Sequence, residues 1–137
     1  MVIQMKNKKV KKRKSDEIKK MRLRIEEYYV ESWRHIGMGR KPYYWLILSL
    51  LAFFGKPLRK YPIMKFCGKS KRKTELALNK LTRDGLIIED KKGEKEVYYV
   101  INEEIRSYVL SKLTKDDIEE IKKFIENELK IPLSALS

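Results

Sequence analysis

A predicted helix between residues 70 and 84 has one apolar face and one cationic face. Apolar or small residues recur at intervals of three and four, which is the period of a helix that buries one side. The opposite side holds mostly lysine and arginine, which bind phosphate and, in the case of arginine, the edge of guanine. The apolar face consists of Thr74, Ala77, Leu78 and Leu81, and the opposite face of Lys69, Arg72, Lys73, Leu76, Lys80 and Arg83.

The first turn of this helix holds cations where helix electrostatics disfavours them. Ser70 is the predicted N-cap. Lys71, Arg72 and Lys73 then occupy the first turn, and each faces the positive end of the helix dipole at a cost of about 0.3–1 kcal/mol. Because local stability does not explain these residues, we interpret them as a surface for an external polyanion. Helix N-termini and lysines both bind phosphate.

A predicted β-hairpin follows the helix. Gly85 stands at the helix end, where glycine adopts the left-handed conformation without steric cost. Residues 86–88 and 97–101 are rich in β-branched and aromatic side chains, and the charged segment between them contains Gly93. Two such runs around a short turn with glycine predict a hairpin. The cations of its turn are Lys91, Lys92 and Lys95.

The charge of the chain is strongly positive and unevenly placed. Of 137 residues, 33 are Lys or Arg and 19 are Asp or Glu, which gives a net charge of +14. Residues 56–83 hold ten basic residues and one acid, whereas residues 102–137 hold six basic and eight acidic residues. A positive field concentrated around one helix face is typical of a nucleic-acid-binding protein.

The N-terminal segment is the densest basic run. Residues 6–14 hold seven basic residues and no acid. We predict a disordered tail over residues 1–15, because a block of like charge repels itself. Two roles stay open for it: an arm that follows phosphates or enters a DNA groove, or a tail that only adds solubility. Its candidate DNA-binding residues are Lys8, Lys9, Lys11, Lys12, Arg13 and Lys14.

Apolar periodicity predicts helices on both sides of the cationic region. Residues 16–38 form an amphipathic helix, and residues 37–42 contain the glycines and proline of a linker. Residues 43–54 are apolar on almost every side, so another part of the protein must cover this segment, and residues 16–36 and 103–130 are the candidates. Residues 103–131 form two further helices, and the second begins with a capping box at Thr114.

The segment over residues 43–101 resembles a winged helix-turn-helix DNA-binding domain. It is similar to the MarR- and ArsR-like regulators of bacteria and archaea. The resemblance implies a mainly α fold with a small β-hairpin wing, an α+β protein, with extra N- and C-terminal helices. The residues that carry it are Gly68, Lys69, Ser70, Leu78, Leu81, Asp84, Gly85, Leu86 and Ile87, followed by the charged hairpin.

The resemblance implies that the helix over residues 70–84 enters the major groove of double-stranded DNA. Arg72 and Lys73 are then the candidates for contacts with base edges. Leu76 meets a thymine methyl or packs against the wing or another helix, and Asn79 meets a base or a phosphate; these alternatives stay open. Phosphate contacts are assigned to Lys69, Lys71, Lys80 and Arg83, Ser70 is included in the site, and the wing residues Lys91, Lys92 and Lys95 lie over the backbone or the minor groove.

The leading hypothesis is a sequence-specific transcription regulator. Regulators of the resembled families are usually homodimers, which implies a dimer through the N-terminal helix, the C-terminal helices or both. A second hypothesis is an RNA-binding or ribosome-associated basic protein, in which tyrosines stack on unpaired bases. A third is a replication or architectural DNA-binding protein of a plasmid or virus. For the wing, an ordinary hairpin turn kept soluble by charge is the alternative.

The sequence contains no catalytic motif. One cysteine, Cys67, and one histidine, His35, cannot build a disulfide or a Cys/His metal cluster. We therefore predict no enzyme activity, no cofactor and no metal site. A single cysteine fits a reducing compartment, so we predict a cytoplasmic, nucleoid-associated protein. The longest apolar run, residues 43–54, is too short to cross a bilayer, so we predict no membrane partner. The abundance of Lys and Glu resembles that of thermophile proteins.

Overall fold

The fold is mainly helical, with one small antiparallel sheet, which agrees with the predicted α+β class. The computed structural model describes residues 2–34, 43–93 and 95–136, and only the backbone of residues 2–13, 33, 34 and 136. The elements in chain order are α1 (Val2–Arg34), α2 (Tyr43–Phe54), β1 (Leu58–Arg59), α3 (Lys60–Cys67), α4 (Lys71–Arg83), β2 (Ile87–Lys91), β3 (Val97–Ile101), α5 (Glu103–Ser111), α6 (Lys115–Asn127) and a 3-10 helix (Leu133–Leu136).

The central helix is α2, whose side chains are almost all apolar. Eight of its twelve residues are buried, among them Ile47, Leu48 and Leu51. Helices α1, α5 and α6 all contact α2, as the sequence predicted for the segments that must cover it. The burial of this almost entirely apolar helix by its neighbours contributes hydrophobic stabilisation to the fold.

The sheet has three antiparallel strands in the order β1-β3-β2. In the hairpin, Ile87 pairs with Ile101 and Lys91 with Val97. Strand β1 adds the pair Leu58 and Tyr99 on the other side of β3. The hairpin agrees with the prediction, whereas β1 was not predicted, because two residues are too few to show any periodicity.

Helix α1 differs from the prediction. The sequence predicted a disordered tail over residues 1–15 and a helix over residues 16–38, but the structure runs one helix of 33 residues from Val2 to Arg34. Residues 2–34 contain no glycine or proline, and lysine and arginine are good helix formers, so nothing stops the helix at residue 15. The predicted linker over residues 37–42 and His35 lie outside the described residues.

The inner face of α1 packs on the rest of the protein. Ile25 is fully buried and Tyr28 nearly so. Next to Ile25 in the sequence, Glu26 accepts a hydrogen bond from the Tyr108 hydroxyl on α5. Lys112, directly after α5, forms an ion pair with the same carboxylate. These contacts fix the C-terminal half of α1 against α5.

The predicted capping residues are present at α4 and α6. Ser70 Oγ accepts a hydrogen bond of 3.3 Å from the Lys73 backbone N–H at the start of α4. At its end Gly85 has a φ of +79°, which favours glycine. Thr114 and Asp117 form the predicted capping box of α6. The last helix ends at Asn127, earlier than the limit near residue 131 that the sequence predicted.

Candidate nucleic-acid interface

Helix α4 has one buried face and one exposed face. Thr74, Ala77, Leu78 and Leu81 are fully buried, which confirms the predicted apolar stripe. Most of the predicted DNA-binding residues of this helix are exposed, and Lys69, just before it, is half-buried. The exposed ones are Ser70, Lys71, Arg72, Lys73, Leu76, Asn79, Lys80 and Arg83.

The middle of the exposed face is a single row of side chains. Arg72, Leu76, Asn79 and Arg83 follow one another at intervals of four, three and four residues, so they lie along one side of the helix. At a rise of 1.5 Å per residue, the row extends for about 17 Å. Leu76 is 56% exposed, so it is not buried against the wing or another helix. We call these four residues the exposed row.

The acid of α4 is neutralised by a neighbouring helix. Glu75 lies at the edge of the exposed face, and its carboxylate is 2.5 Å from Lys60 Nζ at the start of α3. The hydrogen bond from Lys60 lowers the pKa of Glu75 below its ordinary value. The exposed row therefore has no unpaired carboxylate on its own helix.

Aromatic rings hold two of the predicted phosphate-binding lysines. Lys80 Nζ lies 5.6 Å from the centre of the Tyr28 ring and 5.3 Å from that of Tyr44. Lys69 Nζ lies 5.6 Å from the centre of the Tyr43 ring. A cation over an aromatic face is attracted by the ring quadrupole, so these contacts orient both ammonium groups along one edge of the interface.

This tyrosine cluster joins α1 to α2 and to the end of α4. The rings of Tyr28 and Tyr44 stack with centres 5.4 Å apart. The Tyr28 hydroxyl donates a hydrogen bond of 2.7 Å to the Asp84 carboxylate, directly after α4. Burial, with this bond, raises the pKa of Tyr28 above its ordinary value. The sequence did not predict the cluster, because it assigned residues 43–54 to the core and could not pair them with Tyr28.

The hairpin carries the predicted wing cations. Lys91, Lys92 and Lys95 are all exposed. Lys92 Nζ lies 5.6 Å from the centre of the Tyr98 ring on β3. Tyr98 is partly exposed and its neighbour Tyr99 is buried, as expected for residues that alternate across a strand.

A basic cleft between the hairpin and α3 was missed by the sequence analysis. It is lined by Arg59, Lys60, Tyr61 and Lys95, with Glu96 on one wall. Arg59 Nε donates a hydrogen bond of 3.0 Å to the Tyr98 hydroxyl, and its Nη2 lies 3.0 Å from Glu96 Oε1. Tyr61 is 68% exposed. Two adjacent cations followed by an aromatic residue were the signal in the sequence.

The basic N-terminal segment is the first part of α1. Lys14 Nζ lies 3.1 Å from Glu104 Oε1 on α5, so this predicted DNA-binding residue contacts the folded protein. For the other predicted residues of this segment the structure describes the backbone only. These residues are Lys8, Lys9, Lys11, Lys12 and Arg13.

Other chemistry has little support in the described part of the chain. Within it, no group of three or more His, Cys, Asp or Glu side chains is placed to hold a metal ion. Burial raises the pKa of the Cys67 thiol to about 12, so little thiolate forms at neutral pH. None of the described helices is both long and apolar enough to cross a membrane.

Comparison with known proteins assigns the chain to no family. No protein-family model matches it, and neither a curated protein nor a solved structure matches it.

Proposed function

We propose that the chain binds double-stranded DNA as a sequence-specific transcription regulator of the winged helix-turn-helix type, with α4 in the major groove. The observation that carries the proposal is the exposed row on α4. Arg72 and Arg83 point outward on a helix whose acid is already paired with Lys60. Arg72 lies in the first turn, where the helix dipole disfavours a cation, so helix stability does not explain it. A helix with outward arginines matches the width and chemistry of the major groove.

The connection between α3 and α4 supports a helix-turn-helix. The two helices are separated by residues 68–70, a three-residue turn in which Gly68 has a φ of +64°. Turns of three or four residues that contain glycine are typical of this motif. The hairpin β2–β3 then has the place of a wing, since it follows α4 directly.

The side chains of the interface suggest separate roles. Arg72 is suited to guanine N7 and O6, Lys73 is the second candidate for base edges, and the exposed Leu76 is suited to a thymine methyl. Asn79 completes the row. The lysines at the edges suit phosphates, which fix the position of the protein without reading sequence. These edge residues are Lys69, Lys71, Lys80, Lys91, Lys92 and Lys95.

An RNA-binding or ribosome-associated role is the alternative that one observation favours. Tyr61 is 68% exposed beside Arg59, Lys60 and Lys95. Exposed aromatic rings beside cations are a stacking platform for unpaired bases. Double-stranded DNA offers no unpaired base, so preference for single strands would replace the leading proposal with this one.

A salt titration of binding to random duplex DNA, single-stranded DNA and structured RNA tests the proposal. We expect random duplex to bind best of the three. On a duplex site selected from a random pool, we expect Arg72→Ala to weaken binding by about 1–3 kcal/mol through the lost base contact. The matched control is Lys122→Ala, an exposed lysine on α6, which leaves duplex binding unchanged.

A second variant tests the basic part of α1 without shortening the helix. It replaces Lys8, Lys9, Lys11, Lys12 and Arg13 by glutamine, which is also a good helix former. We expect binding to all three nucleic acids to weaken and the salt dependence to become shallower, while the duplex preference remains. Equal binding of wild type to all three, or loss of duplex preference in this variant, would contradict the proposal.

A further inference from the structure

The basic cleft between the hairpin and α3 holds an aromatic ring that the fold leaves in solvent. Tyr61 is 68% exposed, and no other aromatic side chain that the structure describes is exposed. Tyr61 lies in the first turn of α3 and is followed by Pro62, whose ring fixes the backbone there. The Tyr61 ring is therefore presented on a rigid element, and most of its area contributes nothing to the core.

The cations that line the cleft are only partly neutralised by the protein. The Arg59 guanidinium lies 3.0 Å from Glu96 Oε1, and Lys60 Nζ lies 2.5 Å from Glu75 Oε1 on α4. Lys95 also lines the cleft, and it forms no ion pair with another residue that the structure describes. An unpaired ammonium beside an exposed ring suits a single-stranded nucleic acid, because the ring stacks on a base while the cation binds a phosphate.

The cleft lies directly beside the exposed row of α4. Lys60 connects the two, because it lines the cleft and its ammonium pairs with Glu75, which precedes Leu76 of the row. Tyr61 follows Lys60 in α3. Successive phosphates of one DNA strand are about 3.4 Å apart along the axis, so a strand that leaves the major groove beside the row reaches the cleft within a few nucleotides.

The size of the cleft limits what it accepts. Its volume of about 280 Å³ is below the range of about 300–1,000 Å³ for pockets that enclose a drug-sized molecule. Val97 and Tyr99 of β3 supply an apolar part of its lining. In a duplex the faces of the bases are covered by their neighbours, so only an unpaired base offers a face to the Tyr61 ring. A single unpaired nucleotide therefore matches both the size and the chemistry of the cleft.

We propose that the cleft binds an unpaired DNA nucleotide next to the duplex held by α4, with its base stacked on Tyr61 and its phosphate on Lys95. The preferred ligand is then a duplex that continues into a single strand, and a blunt duplex binds less tightly. This inference rests on the proposed duplex binding by α4, and it assigns a part of the DNA that α4 does not contact.

Four DNA ligands test the proposal by fluorescence anisotropy with the full chain. They are a blunt duplex, the same duplex with a short single-stranded extension at either end in turn, the extended duplex with an extension that lacks its bases, and the extension strand alone. We expect the extension to tighten binding about tenfold, the effect of one stacked base. The abasic extension keeps every phosphate but has no base to stack, so its gain should be less than about twofold.

Variants of Tyr61 identify the ring that stacks, with circular dichroism to verify folding. Tyr61→Ala should reduce the gain from the extension to less than about twofold, whereas Tyr61→Phe should keep it, because a phenyl ring also stacks on a base. The matched control is Leu23→Ala on α1, a comparably exposed apolar side chain at 65%, which leaves the gain unchanged. Arg72→Ala weakens the binding of blunt and extended duplexes by the same factor, so it reports on α4 alone.

The failure of this proposal is distinguishable from the failure of duplex binding by α4. Equal binding of blunt and extended duplexes overturns the role of the cleft and leaves that of α4 intact. A gain that the abasic extension or Tyr61→Ala retains overturns it too, and so does a larger gain from an RNA extension. A single strand that binds as tightly as the extended duplex also overturns it, and a blunt duplex that does not bind contradicts the role of α4.

Discussion

The Tyr28 hydroxyl donates a hydrogen bond of 2.7 Å to the Asp84 carboxylate, across 56 positions of the sequence. Tyr28 belongs to α1 and Asp84 directly follows α4, which ends at Arg83. The bond therefore ties α1, which packs on α2, to the end of the helix that carries the exposed row. We therefore expect substitutions in α1 to affect α4 through this hydrogen bond.

Removal of the Tyr28 hydroxyl tests the strength of this tie. Tyr28→Phe keeps the ring that stacks on Tyr44 but loses the bond to a charged acceptor, so we expect the free energy of unfolding to fall by about 1.5–3 kcal/mol. Urea denaturation measures it. Tyr61→Phe, on an exposed ring, is the control and should change it by less than about 0.5 kcal/mol. Equal effects of both changes would show that the bond contributes nothing.

Stability is expected to fall in alkaline solution. Burial raises the pKa values of Tyr28, Tyr44 and Tyr99, and a hydrogen bond to Glu26 raises that of Tyr108. These groups keep their protons in the folded state while the unfolded chain loses them above about pH 10. The stabilisation is thus complete below that pH and is lost as pH rises through the folded pKa values.

Urea denaturation between about pH 8 and pH 11 measures this decline, over the range in which an ordinary tyrosine begins to ionise. Tyr28→Phe should show a shallower decline than wild type. A free energy of unfolding that is constant across the range would contradict the prediction, and so would a rise.

Two glycines have similar backbone conformations but different surroundings, so their alanine variants distinguish backbone strain from steric contact. Gly55 has a φ of +71° and Gly68 a φ of +64°. A Cβ at Gly55 would lie 2.4 Å from Arg106 Nη2, whereas at Gly68 nothing lies within 4 Å. Arg106 Nε donates a hydrogen bond of 2.8 Å to the Ala52 carbonyl near the end of α2.

We therefore predict that alanine destabilises the protein more at position 55 than at position 68. Gly68→Ala costs the strain of the left-handed conformation, about 1–2 kcal/mol. Gly55→Ala costs the same strain and also displaces Arg106, which adds about 1 kcal/mol for the lost hydrogen bond. Thermal denaturation of both variants measures the difference. Equal losses would mean that Arg106 moves aside without cost.

Neutralisation of Glu75 is predicted to strengthen DNA binding. Glu75→Gln frees the Lys60 ammonium and removes a negative charge beside the exposed row, so duplex affinity should rise by about two- to fivefold, the effect of one charge at short range in water. The measurement is a duplex titration at low and high salt, with the gain larger at low salt. Glu119→Gln on α6 is the control, and a gain of equal size there would indicate a general effect of net charge.

The sequence predicted the parts of the fold that depend on local patterns. The two faces of α4, its Ser70 cap and the capping box at Thr114 follow from spacing over one or two turns, and all three are present. Strand β1 was missed because its two residues are set only by pairing with β3. The predicted extent of α1 differs from the structure because the prediction gave charge repulsion more weight than the helix propensity of lysine.

The sequence could not predict the long-range contacts at the interface. The exposed positions of α4 could be predicted, because they lie opposite a buried stripe. The pairing of Glu75 with Lys60 and the seating of Lys80 on two tyrosine rings depend on how separate helices pack. No local period encodes such contacts, which is why residues 59–61 were not assigned to the site.

The lone cysteine has a practical consequence. Cys67 is the last residue of α3 and precedes the turn into α4, and its thiol is buried. Thiol reagents attack an accessible thiolate, so their reaction with Cys67 must proceed through transient opening around this junction. The rate of thiol modification in the native protein therefore reports how often α3 and α4 separate. A ligand that binds only the closed helix pair would lower this rate as its occupancy rises.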